Sequence, residues 1–267
     1  MASRLAPAPQ SRLTSVSDGA DVIGMTLQQQ ARASPLWKRD WSNISPQPAT
    51  QELWRSVGAV CFDVDSTVCV DEGIDVLAEH CGAGKAVKEW TTKAMNGNVK
   101  FEDALAARLE IIKPSKRNVA SCLQQHPPEL TPGIKELIST LHKNKIDVFL
   151  VSGGFRLMIE PVATLLDIPL TNIYANTIFF DDNGNYSGFD DTELTSRDGG
   201  KAHAIEVIKK IHGYERIAMV GDGVTDLQAR PPADLFVGFG GIVTRDVVKK
   251  NADWFVTSFD DLVKLLK

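Results

Sequence analysis

The sequence is poor in the features that define several protein classes. Cysteine is scarce, four in 267 residues (Cys61, Cys69, Cys81 and Cys122) with no C-x-x-C pair, which excludes a disulfide scaffold. Reduced thiols are expected, Cys61 lying inside an apolar run. The longest uncharged, mostly apolar stretch covers residues 168–180, short of the roughly 18 residues that cross a bilayer. Basic residues are not in excess, 29 Lys and Arg against 34 Asp and Glu, so the net charge of −5 argues against bulk neutralisation of nucleic-acid phosphates. Neither G-x-S-x-G nor H-E-x-x-H occurs, and the five histidines lack metal-ligand spacing. What is present is a globular composition, 43% hydrophobic and 24% charged.

The first fifty residues differ from the rest. They hold five basic residues, three aspartates, no glutamate and five of the 13 prolines, beside a Gln28-Gln29-Gln30 tract. No apolar period runs through them, so residues 1–50 read as a disordered extension. The apolar core of a secretory signal is missing. An acid-poor, Arg- and Ser-containing start also fits an organelle transit peptide, but three aspartates favour a plain tail and a cytoplasmic location.

From Leu53 onward short apolar runs alternate with helix-period segments. Val57-Gly58-Ala59-Val60-Cys61-Phe62, Ile146-Asp147-Val148-Phe149-Leu150-Val151, Ile217-Ala218-Met219-Val220 and Leu235-Phe236-Val237 have strand length, and residues 134–143, 156–166 and 201–211 have helical period. This alternation predicts an α/β fold, a doubly wound parallel sheet covered on both faces, with ligands at the carboxyl ends of its strands. Residues 71–129 break the pattern with four helical segments (74–80, 86–95, 101–112, 118–125) and no strand. They predict a small helical cap inserted after the first strand, leaving 51–70 and 130–267 as the catalytic core. Residues 173–189 read as a hairpin turning at Asp182-Asn183-Gly184-Asn185.

Polar clusters fall where the strands end. Asp63-Val64-Asp65-Ser66-Thr67 closes the first run with two carboxylates two residues apart, and Gly221-Asp222-Gly223-Val224-Thr225-Asp226 closes another. Each alone is compatible with a solvated turn or a helix cap. Ser152-Gly153-Gly154 follows a third strand and opens a helix, where exposed N–H groups attract anions. Gly199-Gly200-Lys201 opens a further helix and adds a cation. It is not a P-loop, because that pattern fails at Thr195 and Ala202. Gly238-Phe239-Gly240-Gly241 reads as an ordinary loop. Together the clusters make one phosphate site, with carboxylate oxygens that suit a hard ion such as Mg²⁺.

The order D-x-D-x-T, Ser, Lys, G-D-x-x-x-D resembles that of the haloacid-dehalogenase-like phosphatases. Within them the chain from Leu53 to the end is similar to the phosphoserine phosphatases, most closely in Ala59-Val60-Cys61-Phe62-Asp63-Val64-Asp65-Ser66-Thr67-Val68, Glu72-Gly73-Ile74-Asp75, Val151-Ser152-Gly153-Gly154-Phe155-Arg156 and Pro231-Pro232-Ala233-Asp234. The resemblance implies Mg-dependent hydrolysis of the small molecule O-phospho-L-serine, as the last step of serine biosynthesis, with no nucleic-acid or membrane partner. The oligomeric state stays open, a homodimer included. It implies Asp63 as nucleophile and Asp65 as acid and base. Asp63, the Asp65 carbonyl and Asp222 would hold the ion, and Ser152, Gly153, Gly154 and Lys201 the phosphoryl group, with Asp226 pairing Lys201. Glu72, Met95, Arg108 and Thr225 would contact the rest of the substrate. Two positions depart from the family pattern: Asn96 stands for a glycine and Val224 for an alanine, the latter expected to alter packing only. The rival readings are a same-fold phosphatase for another phosphomonoester and an inactive relative.

Overall fold

The structure, a computed structural model, describes residues 46–95 and 99–267, the side chains of 92–95 excepted. The expected extension thus lies outside the described residues as far as residue 45, and so do Asn96 and the Met95 side chain. Its boundary shifts slightly, because helix α1 (Pro48–Arg55) already starts at Pro48. Among the described residues no helix is long and apolar enough to cross a membrane.

After α1 come β1 (Ala59–Phe62) and four helices, α2 (Gly73–His80), α3 (Gly84–Met95), α4 (Phe101–Ile112) and α5 (Lys116–Gln125). The chain continues through α6 (Ile134–Lys143), β2 (Asp147–Phe155), α7 (Arg156–Leu165), β3 (Ile173–Asn176), β4 (Ile178–Phe180) and β5 (Tyr186–Phe189). It ends with α8 (Gly200–His212), β6 (Ile217–Gly221), α9 (Val224–Leu227), β7 (Leu235–Phe239), α10 (Asp246–Asn251), β8 (Trp254–Val256) and α11 (Asp260–Lys264).

Six strands form one parallel sheet in the order β3-β2-β1-β6-β7-β8. The chain winds outward from β1 to β3 and then resumes on the other side of β1, so the switch point lies between β1 and β6. Register puts Phe62 beside both Leu150 and Val220, which brings Asp63, Ser152 and Asp222, one or two residues further on, to about the same level. The strands read as continuous apolar runs because both faces are covered. Val60, Phe62, Leu150 and Val220 pack with Leu137 and Leu141 of α6 and Val162 of α7. Ala59, Cys61, Phe149 and Met219 face Ile205 and Ile208 of α8.

Helices α2 to α5 bury their own cluster, including Leu77, Leu105, Leu109 and Cys122, which also takes in Phe155 and Ile178. The expected hairpin is shorter than the sequence reading. Ile173–Asn176 joins the main sheet as its edge strand, and only β4 and β5 pair as a hairpin, whose Phe180, Tyr186 and Phe189 pack on that cluster. Only Thr177 separates β3 from β4, so no turn signal marks the break.

Helix α1 closes the sheet's far end. Trp54 is fully buried, sets its ring edge-on to Trp254 at 6.3 Å and donates from Nε1 to the Leu262 carbonyl at 3.2 Å. Trp54→Ala is therefore expected to lower unfolding stability by about 3–5 kcal/mol in a denaturant titration. A loss under about 1 kcal/mol would show that α1 lies outside the cooperative unit.

Candidate active site

The chain leaves β1 through a tight turn over Val64–Val68. Asp63 keeps the sheet register, its N–H donating to the Val220 carbonyl at 2.9 Å, while its Oδ1 accepts from the Val64 N–H at 2.7 Å. Ser66 adopts a left-handed backbone (φ 53°) that turns the chain back, and its hydroxyl donates to Glu72 Oε1 at 2.9 Å. Asp65 Oδ1 accepts from the Gly73 N–H at 2.7 Å. Burial, with the charges of Glu72 and Asp63, lifts the Asp65 carboxyl to about 8, so it carries a proton near neutrality.

Ser152, Gly153 and Gly154 do not open a helix as expected. They lie within β2 where its pairing with β3 slips between Val151 and Phe155, and α7 begins only at Arg156. The bulge frees their backbone from the ladder and aims it at the site. Ser152 Oγ accepts from the Gly154 N–H at 2.9 Å. Gly153 has to be glycine, since a Cβ there would lie 2.7 Å from the Phe101 ring. A Cβ on Gly154 would come within 3.1 Å of Asp65 Oδ2, which puts the Asp65 carboxyl beside the bulge. Beneath it the buried Asn176, at the end of β3, donates to the Gly153 carbonyl at 2.8 Å and accepts from Thr195 Oγ1 at 3.1 Å.

Lys201 enters from the first turn of α8. Gly199 supplies a left-handed residue (φ 73°), and a Cβ on Gly200 would sit 2.3 Å from the Leu194 carbonyl, which explains the double glycine. Lys201 Nζ lies 2.8 Å from Asp63 Oδ1 and 2.6 Å from Asp226 Oδ1. Burial favours the neutral amine, but the charges of Asp226 and Asp63 outweigh it and raise the pKa, so the lysine stays protonated. Asp226 Oδ2 accepts from the Gly223 N–H at 2.9 Å. Asp222 Oδ2 pairs with Arg245 Nε at 2.9 Å, and its Oδ1 lies 3.5 Å from Thr67 Oγ1. Burial and the charge of Asp63 raise the Asp222 pKa, while Arg245 and Lys201 oppose the shift.

Arg245 and Asn176 were not singled out from the sequence. Arg245 follows the glycine loop at the end of β7, read there as ordinary, and only the neighbouring strand ends reveal its purpose. Asn176 is buried at the carboxyl end of β3, a strand that the hairpin reading of 173–189 concealed.

Arg108 lies on α4, 9% exposed, with Nε donating to the Ala104 carbonyl at 3.1 Å. Burial lowers its pKa, and the charges of Asp75, Glu72 and Asp65 work against that. It therefore does not snorkel to water. Glu72 is partly buried, and burial with the charges of Asp63 and Asp222 raises its pKa against the Ser66 hydrogen bond. Thr225 is exposed on α9, as is Val224, so the family departure at 224 does not touch the core.

Asp63, Asp222 and Asp226 bring carboxylate oxygens within 4.8 Å of one another, all buried. Three carboxylates meet one lysine and one arginine, a negative excess that suits a hard divalent ion. Both Asp226 oxygens are engaged, by Lys201 and Gly223, and both Asp222 oxygens by Arg245 and Thr67, so the fit to an ion rests on the hard oxygen donors of all three carboxylates.

Residues 57–234 match the haloacid dehalogenase-like hydrolase family. The chain is 57% identical over 226 residues to "Phosphoserine phosphatase, chloroplastic" of Arabidopsis thaliana, covering 84% of this chain and 77% of that protein. Among solved structures it is similar to "Structure of DsGPDH of Dunaliella salina", at 35% identity and TM-score 0.74, over 84% of this chain but only 38% of that one. A "Phospho-Aspartyl Intermediate Analogue of Phosphoserine phosphatase" matches at 27% identity and TM-score 0.69, over 79% of this chain and 99% of that one. A parallel sheet whose switch point gathers these acidic residues, a lysine and a serine-glycine bulge, in a chain so close to those enzymes, belongs to the phosphoserine phosphatase family of haloacid dehalogenase-like hydrolases.

Proposed function

We propose that the protein hydrolyses O-phospho-L-serine to L-serine and phosphate in two transfers through Asp63, as the last step of serine biosynthesis. The observation that carries this reading is the strand-end cluster in which Lys201 bridges Asp63 and Asp226 while the Asp65 carboxyl sits beside the bulge at Ser152-Gly153-Gly154, with Arg108 buried in the cap. In the first transfer an Asp63 oxygen attacks phosphorus and the bond to the serine oxygen breaks. The Asp65 carboxyl gives its proton to that oxygen, leaving serine and an acyl phosphate on Asp63. In the second, the Asp65 carboxylate takes a proton from water, whose oxygen displaces Asp63 from phosphorus. Phosphate leaves and both carboxyls return to their starting state. Ser152, the N–H groups of Gly153 and Gly154, and Lys201 hold the phosphoryl oxygens, and Asp226 keeps Lys201 in place.

Asp63 and Asp222, with the backbone carbonyl of Asp65, would hold Mg²⁺. The ion would offset the repulsion between a carboxylate nucleophile and an anionic ester. In the cap Glu72 meets the substrate ammonium and Arg108 its carboxylate, and Met95 and the core residue Thr225 would contact the rest of the substrate. The word chloroplastic in the Arabidopsis relative's name supports organelle delivery by residues 1–50 over the cytoplasmic location.

A phosphate-release panel over phosphoserine, phosphoethanolamine, glycerol 3-phosphate and pyridoxal phosphate tests the substrate. Phosphoserine is expected to lead in kcat/KM by roughly tenfold or more, with turnover abolished by a chelator and restored best by Mg²⁺. Undiminished turnover in excess chelator, or a sugar phosphate in the lead, would contradict the reading.

Arg108→Ala removes one charged partner of the substrate, a loss of about 2–5 kcal/mol. It is expected to lower kcat/KM for phosphoserine roughly 30- to several thousand-fold, and to matter far less for phosphoethanolamine, which has no carboxylate. Equal losses on both would assign Arg108 to the fold or to the phosphate site.

A further inference from the structure

Helix α4 carries Arg108 but lacks a cap of its own. Its N-cap residue, Lys100, makes no side-chain hydrogen bond to the helix, so the first N–H groups need partners from elsewhere. Asp198 supplies one. This residue belongs to the core, three positions before Lys201, and its Oδ1 accepts from the Phe101 N–H at 3.2 Å. The bond is returned: the Asp198 N–H donates to Glu102 Oε2, also at 3.2 Å. Side chain to backbone in both directions is the logic of a capping box, here divided between two parts of the molecule 96–97 residues apart in sequence. Backbone N–H groups of Glu102 itself and of Asp198 hold the Glu102 carboxyl below its usual range.

The position of this exchange gives it consequence. Beside it the Phe101 ring lies against Gly153 of the phosphate bulge. Arg108 follows Phe101 by seven residues, roughly 10 Å along the helix axis. The helical cluster is tied elsewhere too, by the Lys116 N–H donating to the Gly184 carbonyl at 2.8 Å and by Phe155 and Ile178 inside its apolar core. Near the site the cap is also tied by the Gly73 N–H to Asp65 and by Ser66 to Glu72, while the first turn of α4 is held by the Phe101 ring contact and these two hydrogen bonds, which lie near solvent. Bonds of this kind are individually weak and quickly exchanged. A small polar substrate needs them open to enter and closed to be gripped.

We propose that Asp198 is a positioning residue that caps α4 in trans, a latch that closes the cap over the phosphate site and sets Arg108 above it. The latch joins the loop that delivers Lys201 to the helix that delivers Arg108, so the two ends of the substrate are gripped together. The consequence for KM rests on the reading of Arg108 as the carboxylate grip, whereas the capping itself does not.

The test compares the wild-type chain with Asp198→Ala and Asp198→Asn, the second keeping an acceptor oxygen. Amide hydrogen exchange over residues 101–104 is expected to quicken in Asp198→Ala and to stay near wild type in Asp198→Asn. In steady state Asp198→Ala is expected to raise KM for phosphoserine about 3- to 20-fold with kcat little changed, to shift phosphoethanolamine much less, and to be rescued by Asp198→Asn. Unchanged exchange in Asp198→Ala, or an Asp198→Asn variant as loose as Asp198→Ala, overturns the latch whatever the substrate. Faster exchange in a protein without preference for phosphoserine supports the latch and overturns the substrate reading.

Discussion

Lys201 Nζ sits between Asp63 Oδ1 and Asp226 Oδ1, at 2.8 and 2.6 Å, in a residue only 8% exposed. A cation taken out of water needs charge partners close at hand, and buried carboxylates need the same in return. Each half of this contact therefore depends on the other. Asp63 has to stand at the end of β1 in register with β6, Asp226 has to be turned inward by Gly223, and α8 has to start where Gly199 and Gly200 let it. Removing the lysine would leave two facing carboxylates beside Asp222 with Arg245 as the nearest remaining cation. The parallel sheet provides the frame, because its register sets the residues after Phe62, Leu150 and Val220 side by side.

Two parts of the molecule share the work. The strand ends concentrate negative charge around Asp63 and Asp222 and place a phosphate bulge beside them, a setting for a divalent ion and an anionic ester. In the proposed reading the helical cap adds the groups that tell one ester from another. Burial lowers the Arg108 pKa and raises that of Glu72, so both charged forms are costly in the closed protein and gain by meeting opposite charges on a ligand. A zwitterion with a phosphate at one end satisfies all three demands. The trans cap at Asp198 fits this division, since it links the two parts at the point where their tasks meet.

Much of this was legible in the residues. Strands buried on both faces announce themselves as apolar runs, and carboxylate and glycine clusters directly after those runs mark strand ends. Helix α4 was expected over 101–112 and spans Phe101–Ile112. What stayed hidden depended on contacts between distant segments. β3 is four residues long and passes into β4 after Thr177 alone, so a single hairpin was the simpler reading. The bulge at Ser152 looks like a helix start until its slipped pairing with β3 is seen. Arg245 sits in a loop with no motif of its own, and its bond to Asp222 arises only from the adjacency of β6 and β7. Asp198 reads as a surface residue, because capping across two parts of a fold leaves no pattern in a linear sequence.

In the proposed reaction phosphorus passes through the carboxylate of Asp63. Borohydride reduces an acyl phosphate and leaves a free carboxylate untouched. Enzyme quenched during turnover of phosphoserine, treated with borohydride and digested, should carry homoserine at position 63, located by mass spectrometry of the peptide containing Phe62 and Val64. Homoserine there, absent without substrate, is the expected result. An unmodified Asp63 in enzyme that is demonstrably turning over, or a reduced carboxylate at Asp65, Asp222 or Asp226 instead, would contradict it.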